Sequence, residues 1–344
     1  MTFRQAVARV ADGQDLSEPE MAAAMERILG GDATAAQIGA FLVALRMKGE
    51  TVDELVGAAR VMRAHAVGIP DVPAQTVDTC GTGGDGACTL NVSTAAGLVV
   101  AGAGVPVAKH GNRAVSGAVG GADVLEALGV RLELPVAALA ACLRATGFVF
   151  LYAPALQPAM RHVAGPRREL GIRTIFNVLG PLANPARVRR QVIGVFDRRW
   201  VERVAEALVR LGTERAWVVH GAAGVDEIAL EGDTVVAEVV DGRMAVRTIT
   251  AADAGCQPAP LAALAVRSTA EAAGHVRAVL GGLRGPAREI VALNAGAALV
   301  VAGAARDLGE GVRRALASID SGAAARVLEA VVEFSHREAD AGAA

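Results

Sequence analysis

Residues 75–108 read QTVDTCGTGGDGACTLNVSTAAGLVVAGAGVPVA, and the fold class can be inferred from their pattern. The run at 75–79 predicts a short strand, four glycines follow between 81 and 86, and residues 94–103 have a helical pattern. A second apolar run at 105–108 predicts another buried strand. A strand, a loop, a helix and a further strand form the repeating unit of a parallel sheet with crossover helices.

The same alternation continues towards the C-terminus. The patterns predict further strands at 148–152, 190–196 and 216–219, and further helices at 122–128 and 200–211. Asp241-Gly242 predicts a hairpin turn, and the chain is again helical from about 268. We therefore expect an α/β domain over 73–344, with a mostly parallel central sheet flanked by helices.

Residues 1–72 show helical patterns only. Three capping boxes precede apolar residues at helical spacing: Ser17 to Glu20, Thr34 to Gln37 and Thr51 to Glu54. A length of 344 residues favours two domains. We expect a small all-helical N-terminal domain over 1–72, with helices from about 155–185 packing on it.

Charge and cysteine usage narrow the class of protein. Lys and Arg number 34 and Asp and Glu 36, and this net charge of −2 argues against non-specific nucleic-acid binding. The four cysteines lack metal-finger spacing, so we interpret them as small buried residues in a reducing cytosol: Cys80, Cys88, Cys142 and Cys256.

Targeting signals are not evident in this sequence. The first residues, MTFRQAVARVADGQ, mix charged and apolar residues and lack the apolar core of a signal peptide. Residues 89–108 are uncharged over the length of a membrane span, yet they contain polar residues, Pro106 and three glycines. A buried helix followed by a buried strand explains them better, so we expect a cytoplasmic protein without membrane contact.

The glycine loop DTCGTGGDG, residues 78–86, lies between the first strand and the next helix. Glycines there allow backbone N–H groups to approach an anion, and the helix adds its positive end. The spacing fits neither the dinucleotide fingerprint nor the P-loop, so a plain structural turn stays open. Asn91-Val92-Ser93-Thr94 adds hydroxyls and an amide that suit a diphosphate and its metal, with helix capping by Ser93 and Thr94 as the alternative.

A basic loop follows the second strand. Lys109, His110, Asn112 and Arg113 crowd the carboxyl end of the run at 105–108. In open α/β sheets ligands bind at that edge. The density of cations and glycines therefore predicts an anion site rather than a solvated turn.

Five ordered motifs resemble the anthranilate phosphoribosyltransferase family. They are GTGGDG, NVST, KHGNRAVS, ADVLEALG and PAMRHVAGPRRELGIRTIFNVLGPLANP, and the likeness covers nearly the whole chain. The resemblance implies a helical domain hinged to an α/β domain, a homodimer, and transfer of the phosphoribosyl group of phosphoribosyl diphosphate to anthranilate. That reaction yields N-(5-phosphoribosyl)anthranilate and diphosphate in tryptophan biosynthesis.

The resemblance also implies binding residues. Those for the donor would be Gly81, Gly84, Asp85, Thr89, Asn91, Val92, Ser93, Thr94, Lys109, His110, Gly111, Asn112, Arg113, Ser116, Gly117 and Gly121. Two magnesium ions per subunit would be held through Ser93, Asp226 and Glu227. The acceptor would lie near Gly81, Asn112, Gln157 and Arg167, with the Arg167 guanidinium facing its carboxylate.

The chain departs from the family pattern at a few positions. Gly117 and Gly121 stand where the family has serines that help to bind phosphate, and a lost hydrogen bond of that kind weakens binding by roughly 1.5–3 kcal/mol. Gln157 replaces a histidine near the aromatic substrate, and Pro166 replaces a valine. Because Gln157 lies near the aromatic substrate, the acceptor is open between anthranilate and another aromatic amine.

The sequence shows no Ser-His-Asp or Cys-His arrangement, and the reaction needs neither a covalent nucleophile nor a clear general base. Magnesium-bound diphosphate is a good leaving group, and the protein contributes position and preorganised charge. Three other hypotheses remain: transfer to another aromatic acceptor, a nucleoside phosphorylase, and a non-catalytic relative that binds nucleic acid.

Overall fold

The computed structural model describes residues 1–87, 89–114 and 119–343. Four helices form the N-terminal part: α1 Phe3–Ala11, α2 Glu18–Leu29, α3 Ala35–Lys48 and α4 Val52–His65. The predicted capping boxes begin α2, α3 and α4. In the third, the Thr51 amide donates to the Glu54 carboxylate at 2.8 Å, and the Glu54 amide donates to the Thr51 hydroxyl at 3.3 Å.

The remainder contains seven strands and eleven α-helices within the described part of the chain. The strands are β1 Val77–Gly81, β2 Val107–Gly111, β3 Phe148–Tyr152, β4 Arg190–Gly194, β5 Arg215–Gly221, β6 Thr234–Val240 and β7 Arg243–Ile249. The helices are α5 Val92–Gly102, α6 Gly121–Ala127, α7 Val136–Thr146, α8 Ala153–Leu156, α9 Arg161–Leu170, α10 Phe176–Leu182, α11 Trp200–Arg210, α12 Thr269–Leu280, α13 Pro286–Val301, α14 Leu308–Asp320 and α15 Ala323–Ala343.

The strands form one sheet in the order β3-β2-β1-β4-β5-β6-β7. The first five are parallel to one another, and β6 and β7 add an antiparallel edge. The edge is a hairpin whose turn residues Asp241 and Gly242 have φ of 47° and 78°, the left-handed geometry that an Asp-Gly turn favours. The α/β class, the mostly parallel sheet and the hairpin are confirmed.

The second strand extends further than the sequence indicates. Lys109, His110 and Gly111 lie within β2, where they pair with β3, rather than in a loop after it. Lys109 is only 3% exposed and His110 only 7%. The apolar pattern ended at 108 because two ionisable residues follow, yet both are buried in the sheet.

Alternating side chains place apolar residues on both faces of the sheet, where they form two large cores, and a third, smaller cluster joins β2 and β3 to α7. In β5, Trp217 and Val219 join the core formed with α5 and α13, whereas Ala216 and Val218 join the other core. That second core also contains Leu42, Leu55 and many other residues of the N-terminal helices. The helical bundle and one face of the sheet thus share a continuous packed interior.

Helices from the middle of the chain pack on the N-terminal ones, since α9 contacts α2 and α3, and α10 contacts α4. A division into domains at residue 72 stays a prediction. Residues 89–108 fold largely into the buried helix α5 and the strand β2, and no helix in the described residues has the length and apolar character to span a bilayer. Cys80, Cys142 and Cys256 are buried free thiols, and Cys88 lies outside the described residues.

Candidate active site

A polar cavity of about 240 Å³ opens at the carboxyl edge of the parallel strands. The glycine loop, the end of β2, the start of α6 and the segment after β5 line it. Its wall comprises Gly81, Thr82, Gly83, Gly84, Asp85, Gly86, Thr89, Asn91, Ser93, Lys109, His110, Gly111, Asn112, Arg113, Ala114, Val119, Gly120, Gly121, Asn177, Asp226 and Glu227. Ser116 and Gly117 lie outside the described residues.

The glycine loop is held against Asp226. The Gly83 amide donates a hydrogen bond of 2.7 Å to the Asp226 carboxylate. A Cβ at Gly81 would come within 2.5 Å of the same carboxylate oxygen, so only glycine permits this approach. Gly83 and Gly84 have φ of 63° and 75°, which also favour glycine. The loop is therefore built to lie beside an acidic residue.

The helix α5 begins differently from the capping alternative. Asn91 occupies the cap position at φ 67°, and Ser93 and Thr94 lie inside the first turn, so capping by these two residues is wrong. The Thr94 hydroxyl donates to Asn91 Oδ1 at 2.8 Å and is buried, as is Val92. Of these four residues, Asn91 and Ser93 line the cavity.

Lys109 and Arg113, both in the motif KHGNRAVS, make different contacts. Lys109 is buried, and its Nζ donates to the Thr79 carbonyl and, at 3.1 Å, to the Ser93 hydroxyl. Arg113 instead donates to Asp123, Glu126 and the Tyr152 hydroxyl. Lys109 lies in the cavity wall with its Nζ held in place, while the Arg113 guanidinium is engaged with the acidic residues of α6.

His110 is a buried side chain of β2 that lines the polar cavity. Burial lowers its pKa to about 4, and its Nδ1 lies 3.0 Å from the Gly180 carbonyl. A carbonyl only accepts, so Nδ1 carries the proton and Nε2 is an acceptor. Nε2 has no hydrogen-bond partner among the described residues.

Asp226 and Glu227 follow β5 and are crowded by further negative charge. Burial raises the pKa of Asp226 to about 7, and the nearby Asp85 carboxylate adds to the effect. Burial, and then Asp226, raises the pKa of Glu227 well above its ordinary value. Divalent cations relieve both penalties, so this donor set fits magnesium.

In residues 1–87, 89–114 and 119–343, no group of three or more His, Cys, Asp or Glu side chains is arranged to hold a metal ion unaided. Magnesium keeps several waters and takes one or two carboxylates together with substrate phosphates, so it does not require such a group. Asp226, Glu227 and the Ser93 hydroxyl are the residues that would hold it.

A second, more apolar cavity of about 420 Å³ adjoins the first. Arg167 lies in its wall, with its guanidinium carbon 5.4 Å from the centroid of the Phe176 ring. Burial lowers the pKa of Arg167. The two cavities share Gly81, Thr82, His110, Gly111, Asn112 and Asn177 as a common wall.

Three of the four positions that depart from the family pattern lie within the described residues, where their neighbours can be named. Gln157 lines the apolar cavity and is buried, with its Nε2 donating to the Ala183 carbonyl at 3.0 Å. A Cβ at Gly121 would lie 3.0 Å from the Thr94 hydroxyl and 3.4 Å from Asn91 Oδ1. Pro166 lies inside α9. A serine at 121 would therefore crowd its neighbours as well as add a hydroxyl.

Sequence reasoning missed two residues of the common wall. Thr82 is anchored by its hydroxyl, which accepts the Phe196 amide at 3.0 Å, and Asn177 accepts the Thr174 amide at 3.0 Å. Thr82 lies inside the glycine loop 78–86, where the glycines are the signal for an anion site and a threonine adds no separate signal. Asn177 lies on α10, which nothing in the local pattern connects to the sheet edge.

Comparison with known proteins agrees with this architecture. Residues 4–66 match the model described as "Glycosyl transferase family, helical bundle domain", and residues 73–325 match "Glycosyl transferase family, a/b domain". Fold and site thus define a glycosyltransferase with a helical bundle and an α/β part.

Individual relatives specify the family. The chain is 51% identical over 333 residues to the anthranilate phosphoribosyltransferase of Pelotomaculum thermopropionicum, covering 97% of this chain and 96% of that one. It is 43% identical to the enzyme of that name from Thermus thermophilus, whose crystal structure superposes with a TM-score of 0.91 over 96% of this chain and 99% of the other. An anthranilate phosphoribosyltransferase from Saccharomyces cerevisiae in complex with PRPP (phosphoribosyl diphosphate) and Mg is 26% identical, with a TM-score of 0.89 over 97% and 98% of the two chains. The chain belongs to the anthranilate phosphoribosyltransferase family.

Proposed function

We propose that this protein transfers the 5-phosphoribosyl group from phosphoribosyl diphosphate to anthranilate, giving N-(5-phosphoribosyl)anthranilate and diphosphate in tryptophan biosynthesis. One observation carries the proposal: a polar, amide-lined cavity and an apolar cavity with a half-buried arginine share a wall. A charged sugar donor and an aromatic acid in these two cavities would meet at that wall.

The donor is assigned to the polar cavity. Loop amides, the N-terminal end of α5 and the fixed Lys109 charge suit phosphate groups. The donor-binding residues predicted from the family pattern form most of this wall, while Arg113 would have to leave its carboxylate partners to contact phosphate.

The acceptor is assigned to the apolar cavity. Arg167 offers a guanidinium fork to a carboxylate, and Phe176 beneath it fixes its orientation. Asn112 and Gly81 lie at the boundary, near the position of the reacting amine. Gln157 presents an amide in the same cavity, which keeps another substituted aromatic amine as the alternative acceptor.

The chemistry is substitution at C1 of the ribose. The C1–O bond breaks with its electron pair going to diphosphate, leaving oxocarbenium character on the sugar. The amine lone pair then forms the C1–N bond from the opposite side, and the nitrogen releases its proton to solvent or to the departing diphosphate. Residues of the common wall orient the two reactants, which is where most of the rate acceleration would arise.

We assign magnesium to Asp226, Glu227 and Ser93, with two ions per subunit. When bound, magnesium neutralises the charge that develops on diphosphate. The raised pKa values of the two carboxylates support a cation at this place.

We also propose a homodimer formed through α3. This helix is apolar on both sides: Phe41 and Leu45 point inward, whereas Ala36, Ala40 and Met47 form an outward stripe. Met47 is 82% exposed. Light scattering on the purified protein and on Ala40→Glu would show a dimer that the substitution dissociates, and a monomeric wild type would contradict the proposal.

Buried unpaired thiols favour a reducing, cytoplasmic setting.

The direct test is the loss of anthranilate fluorescence on adding phosphoribosyl diphosphate, with and without magnesium. Magnesium-dependent loss with stoichiometric release of diphosphate supports the proposal. An enzyme that leaves anthranilate untouched but cleaves uridine with phosphate would be a nucleoside phosphorylase. A protein inactive in both assays that shifts DNA in a salt-dependent manner would be a binding relative.

A further inference from the structure

Arg173 links the helical side of the molecule to the glycine loop. It lies in the segment 171–175 between α9 and α10 and is exposed. Its guanidinium donates a hydrogen bond to the Gly84 carbonyl. Its guanidinium carbon also stacks 4.4 Å from the centroid of the Phe196 ring.

The aromatic ring beneath Arg173 is attached to the same loop. The Phe196 amide donates to the Thr82 hydroxyl at 3.0 Å, and the Thr82 amide donates to the Gly194 carbonyl at 2.9 Å. Arg173 therefore contacts the glycine loop twice, directly at Gly84 and through Phe196 at Thr82.

The backbone of Arg173 is anchored on the other side. Arg46, in the last turn of α3, donates to the Arg173 carbonyl at 2.5 Å. Next to it, the Thr174 amide donates to Asn177, which lies in the wall of both cavities. A chain of contacts thus runs from α3 through Arg173 to the loop.

The glycine loop needs such support. Gly83, Gly84 and Gly86 have φ of 63°, 75° and 80°, and glycine loses more conformational freedom on ordering than any other residue. Besides the bond from Arg173, the described residues show two hydrogen bonds between side chains and backbone groups of 83–87: the Gly83 amide donates to the Asp226 carboxylate, and the Ala87 amide donates to the Asp85 carboxylate. Asp226 must also serve the metal, so it is a poor permanent anchor.

We propose that Arg173 is a positioning residue that orders the glycine loop for the phosphoribosyl donor and couples donor affinity to the position of the helical domain. The inference rests on the proposed function. Arg173 acts before the donor binds, because it already holds the glycine loop in one conformation. Without it, ordering the loop would cost conformational entropy at the moment of binding and would weaken donor affinity.

The test measures donor binding by calorimetry, with phosphoribosyl diphosphate and magnesium and without acceptor. Arg173→Ala should weaken donor binding by about tenfold, the size expected for losing one charge-assisted hydrogen bond and one stacking contact. The donor affinity of Arg173→Lys should lie between those of the wild type and Arg173→Ala, since lysine keeps the charge and loses the planar stack. Arg168→Ala removes another arginine five residues earlier and should bind as the wild type does.

Steady-state kinetics supply the readout that a general structural role would not give. The KM for the donor should rise, whereas the KM for anthranilate should stay within about twofold, and the melting temperature should match that of Arg168→Ala. Arg46→Ala should change donor affinity in the same direction by a smaller factor. Donor binding within about twofold of wild type in Arg173→Ala, or equal rises in both KM values, would overturn the proposal. If the wild-type protein consumes no anthranilate, the proposed function itself is contradicted. That result is obtained before any variant is made, so the two failures can be told apart.

Discussion

Gly194 in β4 lies directly against the backbone of Asp226, so that a Cβ at position 194 would stand 1.5 Å from the Asp226 carbonyl oxygen. Gly81 in the neighbouring strand lies close to the Asp226 side chain, where a Cβ would stand 2.5 Å from its carboxylate oxygen. Two adjacent strands therefore end in glycines that leave room for one acidic segment.

Gly194→Ala should displace the segment containing Asp226 and Glu227, because the colliding atom is backbone and cannot rotate away. We expect turnover to fall by at least about a hundredfold, given that a misplacement of about 1 Å can cost that much. The control is Gly274→Ala in α12, where an added Cβ meets nothing within 4 Å. Full activity of Gly194→Ala in the fluorescence assay would show that the acidic segment need not occupy this position.

Replacing Asp226 and Glu227 together by Ala should abolish turnover while leaving the protein folded. Removing the two carboxylates relieves their mutual repulsion, so the melting temperature without magnesium should hold or rise. Magnesium titration by calorimetry in the presence of diphosphate checks the loss of the ion. Near-normal rates in this variant would refute the assignment of the metal.

Magnesium binding should strengthen as the pH rises from about 6 to about 8. The pKa of Asp226 lies at about 7, above the ordinary 3.8, because burial favours its protonated form. A raised acid pKa stabilises the fold at low pH, and this contribution is lost as the pH rises through the folded-state pKa. An ion takes the place of the proton, so magnesium should raise the melting temperature more at the higher pH than at the lower one. Equal shifts at both values would contradict this.

Arg167→Ala should raise the KM for anthranilate by about tenfold or more and leave the KM for the donor nearly unchanged, since a charged hydrogen bond is lost on the acceptor side only. Arg167→Lys keeps the charge but loses the fork and the contact with Phe176, so it should recover only part of the affinity. Initial rates over a grid of both substrates separate the two constants. Equal rises in both would count against a carboxylate contact.

Gly121→Ala should destabilise the protein by about 1–3 kcal/mol, because the new Cβ crowds the buried Thr94 hydroxyl at 3.0 Å. Thr94 is bonded to Asn91 in the cavity wall, so donor binding should weaken as well. Urea unfolding and donor calorimetry measure the two effects. An unchanged stability would mean that α6 can shift away from α5.

The sequence allowed the order of elements to be predicted, because hydrophobic alternation, capping boxes and turn glycines are local signals. The Asp241-Gly242 hairpin and the box at Thr51 are cases where chemistry at two to four positions was sufficient. The extent of β2 was not predictable in this way. Lys109 and His110 are polar by composition, and only pairing with β3 and deep burial reveal them as strand residues.

The candidate site also contains parts that the sequence predicts and parts that it does not. Motifs local in sequence, such as the glycine loop and Lys109, could be proposed from their residues. Contacts over long separations could not: Gly83 to Asp226 spans 143 residues, and Arg173 to Gly84 spans 89. Such pairs depend on how strands are ordered in the sheet, which no local pattern records.

The wall common to the two cavities has a kinetic consequence. A product that contains both a sugar phosphate and an aromatic acid would extend across that wall and fill each side at once. It should therefore compete with either reactant, whereas diphosphate should compete with the donor alone. These inhibition patterns would follow from the adjacency of the two cavities and not from any single side chain.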